Sequence, residues 1–244
     1  MKKLTVPLVM FVALISSAAE CGECSACVPA MRPDKQYWAL ARHAKIIRCL
    51  ARAQGRAYDV ALVGDSITHR WENEVNGLAV YHQLTNRYSV LNLGDGGDRT
   101  EHILWRLDHG ALGQDYPYTA KVFSVLAGVN NVNDRPEDVA AGVKAILTRI
   151  RAAHPESKIL LMPIFPWGKE PLKDARVNGA NEIIRTFADN KTVFLLDFGQ
   201  KFIGADGHIK PGLMMPDDLH PIKAGYELWF DELAPVLDGL LGRR

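Results

Sequence analysis

Apolar residues in this chain gather in short β-like runs, and between the runs they recur every three or four positions. From Tyr58 onward five such runs occur, at 58–63, 89–93, 121–127, 158–163 and 192–197, and the first three end on Gly64, Gly94 and Gly128. Runs of this length, without alternation, predict strands buried on both faces. Between the third and fourth, Val139, Val143, Ile146, Leu147 and Ile150 form one apolar stripe at helical spacing, and Pro136, Glu137 and Asp138 stand where a helix start favours proline and acids. Further helices are predicted over 100–109, 176–188 and 221–241, and over 34–53 ahead of the first strand, where Ile46, Ile47 and Leu50 are available for packing. Strands alternating with helices predict an α/β fold, a parallel sheet covered on both faces, whose ligand crevice lies beyond the carboxyl ends of the strands.

The amino terminus follows a different pattern. Lys2 and Lys3 precede a charge-free stretch over 4–15, and Ser16-Ser17-Ala18-Ala19 then offers small residues suited to signal-peptidase cleavage. The apolar stretch falls short of the ~20 residues a membrane-spanning helix needs. Three segments are therefore expected: a signal peptide over 1–19, a cysteine-containing linker over 20–33 and a single domain over 34–244. Export to the periplasm or the medium follows from the leader. With 244 residues and 48% hydrophobic content the chain is long enough for one sizeable core. Loss of the leader removes two lysines and no acidic residue, so the formal charge moves from +1 to −1. A near-neutral surface carries no global field for nucleic acid or anionic lipid. Cys21, Cys24 and Cys27 crowd the linker, and their readings are an exposed disulfide or free thiols, lipid attachment at Cys27, or a metal site lacking a fourth ligand at finger-like spacing.

The candidate chemistry lies at the strand ends. Gly64-Asp65-Ser66 follows the first strand, Gly94-Asp95-Gly96-Gly97 the second and Gly128-Val129-Asn130-Asn131 the third, so all three meet at one edge of the sheet. Far downstream, Asp217 and His220 supply a carboxylate and an imidazole three residues apart. A serine hydroxyl needs a base to take its proton, and His220 can act as that base if Asp217 fixes its tautomer. Attack on an ester carbonyl also needs preset donors for the oxyanion, and the Ser66 and Gly97 amides and the Asn130 side chain are the candidates. No Gly-x-Ser-x-Gly elbow occurs, which argues against the α/β-hydrolase arrangement.

Several neighbouring residues have blander readings. Asp65 reads as a helix cap, and Asp98 with Glu101 as a cap and its partner three positions on. Asp218 reads as a solvated neighbour of Asp217, Arg99 as a surface arginine, and Trp71 and Trp105 as core. His69 and Arg70 follow Ser66 closely enough to line a pocket. No histidine pair has metal-ligand spacing.

The four blocks, Gly64-Asp65-Ser66, Gly94 to Gly97, Gly128-Val129-Asn130 and Asp217-Asp218-Leu219-His220, resemble in order and spacing those of the SGNH (GDSL-type) hydrolases. Within that superfamily the stretches 92–98 and 102–107 are similar to catalytic subunits of platelet-activating-factor acetylhydrolase. The resemblance implies a flavodoxin-like three-layer α/β/α sandwich with a five-stranded parallel sheet. It implies Ser66 as nucleophile, Asp217 and His220 completing a triad, an oxyanion hole of Ser66, Gly97 and Asn130, no cofactor, and a preference for small acyl groups, acetyl above all. Asn131 stands where many members carry Asp. Combined with export, the expectation is a serine esterase acting on acetylated carbohydrate. The alternatives are a phospholipid or longer-chain esterase and a non-catalytic carbohydrate-binding module. A homodimer is compatible with the sequence, which does not address oligomeric state.

Overall fold

A computed structural model describes residues 24–32, 36–168 and 171–243. The expected leader over 1–19 and Cys21 lie outside the described residues. Five strands, β1 (Ala57–Gly64), β2 (Val90–Asn92), β3 (Thr119–Leu126), β4 (Lys158–Leu161) and β5 (Val193–Leu195), form one sheet in the order β2-β1-β3-β4-β5, every pair parallel. In β1 every residue but Ala57 is buried, and the last five of β3 are buried as well. Such strands are covered on both faces, which is why they read as apolar runs rather than as alternation. All five lie within two residues of the predicted bounds.

The helices are α1 (Gln36–Arg52), α2 (Ser66–His69), α3 (Leu78–Arg87), α4 (Thr100–Arg106), α5 (Pro136–Ala153), α6 (Pro171–Arg185) and α7 (Lys223–Leu241). In one layer α5 packs against α4 and α6, and in the other α3 packs against α7. The predicted stripe of α5 is buried in full, with Pro136 at the helix start. The three-layer α/β/α sandwich is thus the observed architecture.

Helix boundaries differ where local backbone intervenes. The helix expected over 100–109 stops at Arg106 and runs into a wider turn, Leu107–Ala111, in which Gly110 takes φ +95°, a conformation that ends regular helix and suits glycine. Val80 and Leu84, four residues apart, are the buried residues of α3, too thin a stripe to predict it. No helix among the described residues is long and apolar enough to cross a membrane.

Residues 24–32, expected as a linker, lie against α4 and α5. The Thr100 hydroxyl donates to the Ala26 carbonyl at 2.9 Å, and the Ala30 amide donates to the Glu101 carbonyl at 3.0 Å. Ala26 is buried opposite Gly142, where an added Cβ would come within 2.7 Å of the Ala26 oxygen. Cys27 is disulfide-bonded, while Cys24 and Cys49 are free thiols.

Strand register levels the three functional turns. Leu62 pairs with Asn92 and with Ser124, and Gly64 with Leu126, so the turns after β1, β2 and β3 leave the sheet side by side. The chain passes from β1 outward to β2 and then back across β1 to β3, which makes this edge the switch point where open α/β sheets bind ligands.

Candidate active site

Ser66 sits where β1 turns into α2. The turn requires Gly64, because a Cβ there would lie 2.2 Å from the Thr68 hydroxyl and 2.3 Å from the Leu126 carbonyl oxygen. Asp65 caps α2 through Oδ1, which accepts from the Ile67 amide at 2.9 Å, as read from the sequence. Behind the helix the Tyr226 hydroxyl donates to the Ile67 carbonyl at 2.6 Å, and Trp71 packs on Tyr226 and Trp229 with ring centroids 4.7 and 4.9 Å away. Trp71 is core, whereas Trp105 is half-buried and stacked on His109.

His220 arrives on the loop leading into α7. Its hairpin is closed by the Met215 amide donating to the His220 carbonyl at 2.7 Å and the Ile222 amide to the Leu213 carbonyl at 3.0 Å. Asp217 Oδ1 accepts the Leu219 and His220 amides at 3.0 Å each, which aims Oδ2 at His220 Nδ1, 2.6 Å away. A carboxylate can only accept, so Nδ1 carries the proton and Nε2 is left as an acceptor 2.9 Å from Ser66 Oγ. Partial burial works against the Asp217 carboxylate, but the His220 amide and ring and the Leu219 amide outweigh it and hold the carboxyl below its ordinary range. Burial lowers the His220 pKa below 6.5, with Arg70 adding to the effect and Asp217 opposing it. Asp218 takes φ +52° and its carbonyl accepts from the Gly168 amide, while the carboxylate hydrogen-bonded to His220 Nδ1 is that of Asp217. The imidazole's partner is therefore Asp217.

Gly97 and Asn130 carry the other donors expected from the sequence. Gly97 takes φ +75°, and among the described residues its amide has no acceptor. Asn130 spends one side-chain N–H on the Asp98 carbonyl at 2.7 Å, which fixes the amide plane and leaves its second N–H available.

A polar scaffold beneath these turns was not foreseen. Arg106, buried, donates to Asp98 Oδ2 at 2.7 Å, to the Leu93 carbonyl at 2.6 Å and to the Gly64 carbonyl at 3.4 Å, so one side chain ties the ends of β1 and β2 to the Gly97 turn. Arg42 of α1 donates to the Gly94 and Asn92 carbonyls at 3.0 and 3.2 Å and makes a forked ion pair with Glu72. Contrary to the reading of Asp98 as a helix cap, it does not cap α4, because the Arg106 guanidinium holds it. The Thr100 amide is taken instead by Asn131 Oδ1 at 2.8 Å, and the fully buried Asn131 also donates to Glu101 and Asp134 at 3.0 Å. Arg99 is not a free surface group either. It pairs with Glu101 and, at 2.7 Å, with Asp134, and reaches the Asn130 carbonyl at 3.4 Å.

Burial raises Asp65 to about 7, the Ile67 amide opposing and Asp98 adding, and it raises Asp95 to about 6 with Arg106 opposing. His69, one turn beyond Ser66 and beside Gly96, is lowered to about 4 by burial and by Arg42, so it is neutral. Arg70 donates to the Met215 sulfur at 3.0 Å. Among the described residues, no group of three or more His, Cys, Asp or Glu side chains converges as a metal site.

Residues 62–228 match the GDSL-like lipase/acylhydrolase family. The chain belongs to that family. Family membership places it among the carboxylic ester hydrolases. Human platelet-activating factor acetylhydrolase IB subunit alpha2 is 35% identical over 172 residues, 69% of this chain and 71% of the relative. The alpha1 subunit from Pongo abelii is 30% identical over 184 residues, 73% of this chain and 75% of the relative. Among solved structures, a GDSL-like lipase from Bacteroides thetaiotaomicron superposes with a TM-score of 0.62 at 16% identity, over 82% of this chain and 98% of that one. A lipolytic G-D-S-L family protein from Veillonella parvula gives 0.59 at 17% identity, over 75% and 98%. These two likenesses carry the GDSL fold.

Proposed function

We propose that this family member is a serine esterase that removes small acyl groups, acetyl first, from carbohydrate esters. In the reaction Ser66 Oγ attacks the ester carbonyl carbon while His220 Nε2 takes its proton, and Asp217 stabilises the imidazolium. The oxyanion is held by the Ser66 and Gly97 amides and the Asn130 side chain. His220 then protonates the departing alcohol, and a water deprotonated by the same nitrogen releases the acetate from Ser66.

The observation that carries this reading is the Asp217–His220–Ser66 chain at 2.6 and 2.9 Å, in which both imidazole nitrogens are engaged in the senses the chemistry needs. Export, expected from the leader, favours glycan esters over intracellular lipids as the substrate. The curated relatives favour a second reading, an acetyl ester of the platelet-activating-factor type.

Ser66→Ala is the first test. It should abolish p-nitrophenyl acetate hydrolysis while leaving the circular dichroism spectrum unchanged. Full turnover in the variant refutes the reading, and no turnover in either protein leaves the non-catalytic binding module. Acetate release from acetylated xylan, acetylated sialic acid and platelet-activating factor then separates the two substrate classes. Acetyl, butyryl and octanoyl esters of p-nitrophenol report the acyl limit.

A further inference from the structure

We infer that Arg32 is a positioning residue of the oxyanion pocket, holding the Gly96–Gly97 peptide so that the Gly97 N–H faces the reacting carbonyl. The inference rests on the serine-esterase reading above. Arg32 lies before residue 62, where the family match begins, in the stretch expected as a linker.

A peptide unit is planar and trans, so its C=O and N–H point in opposite directions. The Gly96 carbonyl and the Gly97 N–H belong to one such unit. Arg32 Nη1 donates to the Gly96 oxygen, and that hydrogen bond therefore also sets the direction of the Gly97 N–H on the far side of the plane. Control of this kind is needed here. Two successive glycines leave a peptide that can rotate about its flanking bonds with little steric hindrance, and Gly97 already takes φ +75°.

The guanidinium is itself well held. It is buried, with 6% of Arg32 exposed, and Nη1 lies 3.8 Å from Asp98 Oδ1, while the other oxygen of Asp98 is bound by Arg106. Both terminal nitrogens approach the Gly97 α-carbon so closely that an added Cβ would lie 3.0 and 3.1 Å from them. The backbone that carries Arg32 is pinned to α4 by the Ala30–Glu101 and Thr100–Ala26 hydrogen bonds. The cation also draws electron density from the Gly96 carbonyl, which strengthens the Gly97 N–H as a donor.

The test compares Arg32→Met and Arg32→Lys with the wild-type chain, using p-nitrophenyl acetate and a small alkylboronic acid that forms a tetrahedral adduct on the serine. Loss of a whole oxyanion donor costs about 10²–10³ in turnover, so misaiming one should lower kcat by about 10–100-fold in Arg32→Met. KM should change by less than about threefold, because the ground-state carbonyl depends little on the pocket. Boronate affinity should fall in step with kcat. Arg32→Lys, which keeps the charge without the fork, should lose about threefold to tenfold in kcat. If Arg32→Met does not fold, the lysine variant carries the test alone. Wild-type kcat and boronate affinity in either folded variant overturn the inference, as does a loss confined to KM or to melting temperature. The esterase reading fails separately, through turnover retained by Ser66→Ala.

Discussion

Ser66 and His220 reach the same point by different routes. Ser66 is 8% exposed, seated at the end of a central strand over the Trp71–Tyr226–Trp229 cluster and beside turns stitched together by buried arginines. His220 rides a hairpin loop whose Asp217 side chain is 43% exposed, and contacts from Arg70 and Asn76 tie the loop to the Ser66 side. Chief among them, the buried Asn76 donates to the Pro221 carbonyl at 2.8 Å. The hydroxyl is thus positioned by long-range packing, and the imidazole mainly by local backbone geometry. Damage to the first should cost the fold, and damage to the second should cost the reaction.

The largest effect falls on the loop. His220→Ala should lower kcat on p-nitrophenyl acetate by roughly 10⁴–10⁶, and Asp217→Asn by about 10⁴, each with little change in melting temperature. A loss under about tenfold in His220→Ala would break the comparison at its functional end. The pH profile comes next. His220 works as a base only when neutral, so kcat/KM should fall about tenfold per pH unit below its pKa. Burial sets that pKa beneath 6.5, and the limb should appear on the acid side of 6.5. An acid limb centred above 6.5 would contradict the assignment.

Asn76→Ala should show an intermediate effect, because it removes the tie between the two sides. About tenfold in kcat is expected from a misplaced imidazole, together with about 1–3 kcal/mol of stability from the orphaned Pro221 carbonyl. The smallest effect belongs to the nucleophile's scaffold and is read as stability. The Asp65 carboxyl releases its proton near 7 in the fold, against an ordinary value of 3.8. Between those values the folded state binds more protons than the unfolded chain, so stability from this group declines as pH rises from about 4 to about 7. Asp65→Asn keeps the cap acceptor and sheds the charge. Its melting temperature should match wild type near pH 4 and exceed it by a few degrees at pH 8. Equal melting temperatures at both pH values would remove Asp65 as a source of strain under the site.

Legibility followed the same division between local and long-range order. The strands could be read because burial on both faces writes apolar runs, and the four functional turns could be read because each is a short local signature. α3 escaped because two buried residues make a weak stripe, although a parallel β1–β2 pair demands a crossover of a dozen or more residues and so implied something there. Arg106 left a trace, an arginine set among Ile103, Leu104 and Leu107 on an apolar face, which a lone surface residue would not occupy. Asp98 matched a capping template, but its partner eight residues along the chain won because a buried charge pair, here two guanidinium nitrogens on one carboxylate oxygen, is stronger than a cap. Arg32 left no trace at all, since its meaning depends on a carbonyl 64 positions away.

The account stands most directly on the identity of the atom that carries the acyl group. Wild-type protein mixed with p-nitrophenyl acetate, quenched in acid within one turnover and mapped by mass spectrometry, should carry one acetyl group, on the peptide containing Ser66, with none on that peptide in Ser66→Ala. Rapid turnover with Ser66 unmodified, and an equal rate in Ser66→Ala, would contradict it.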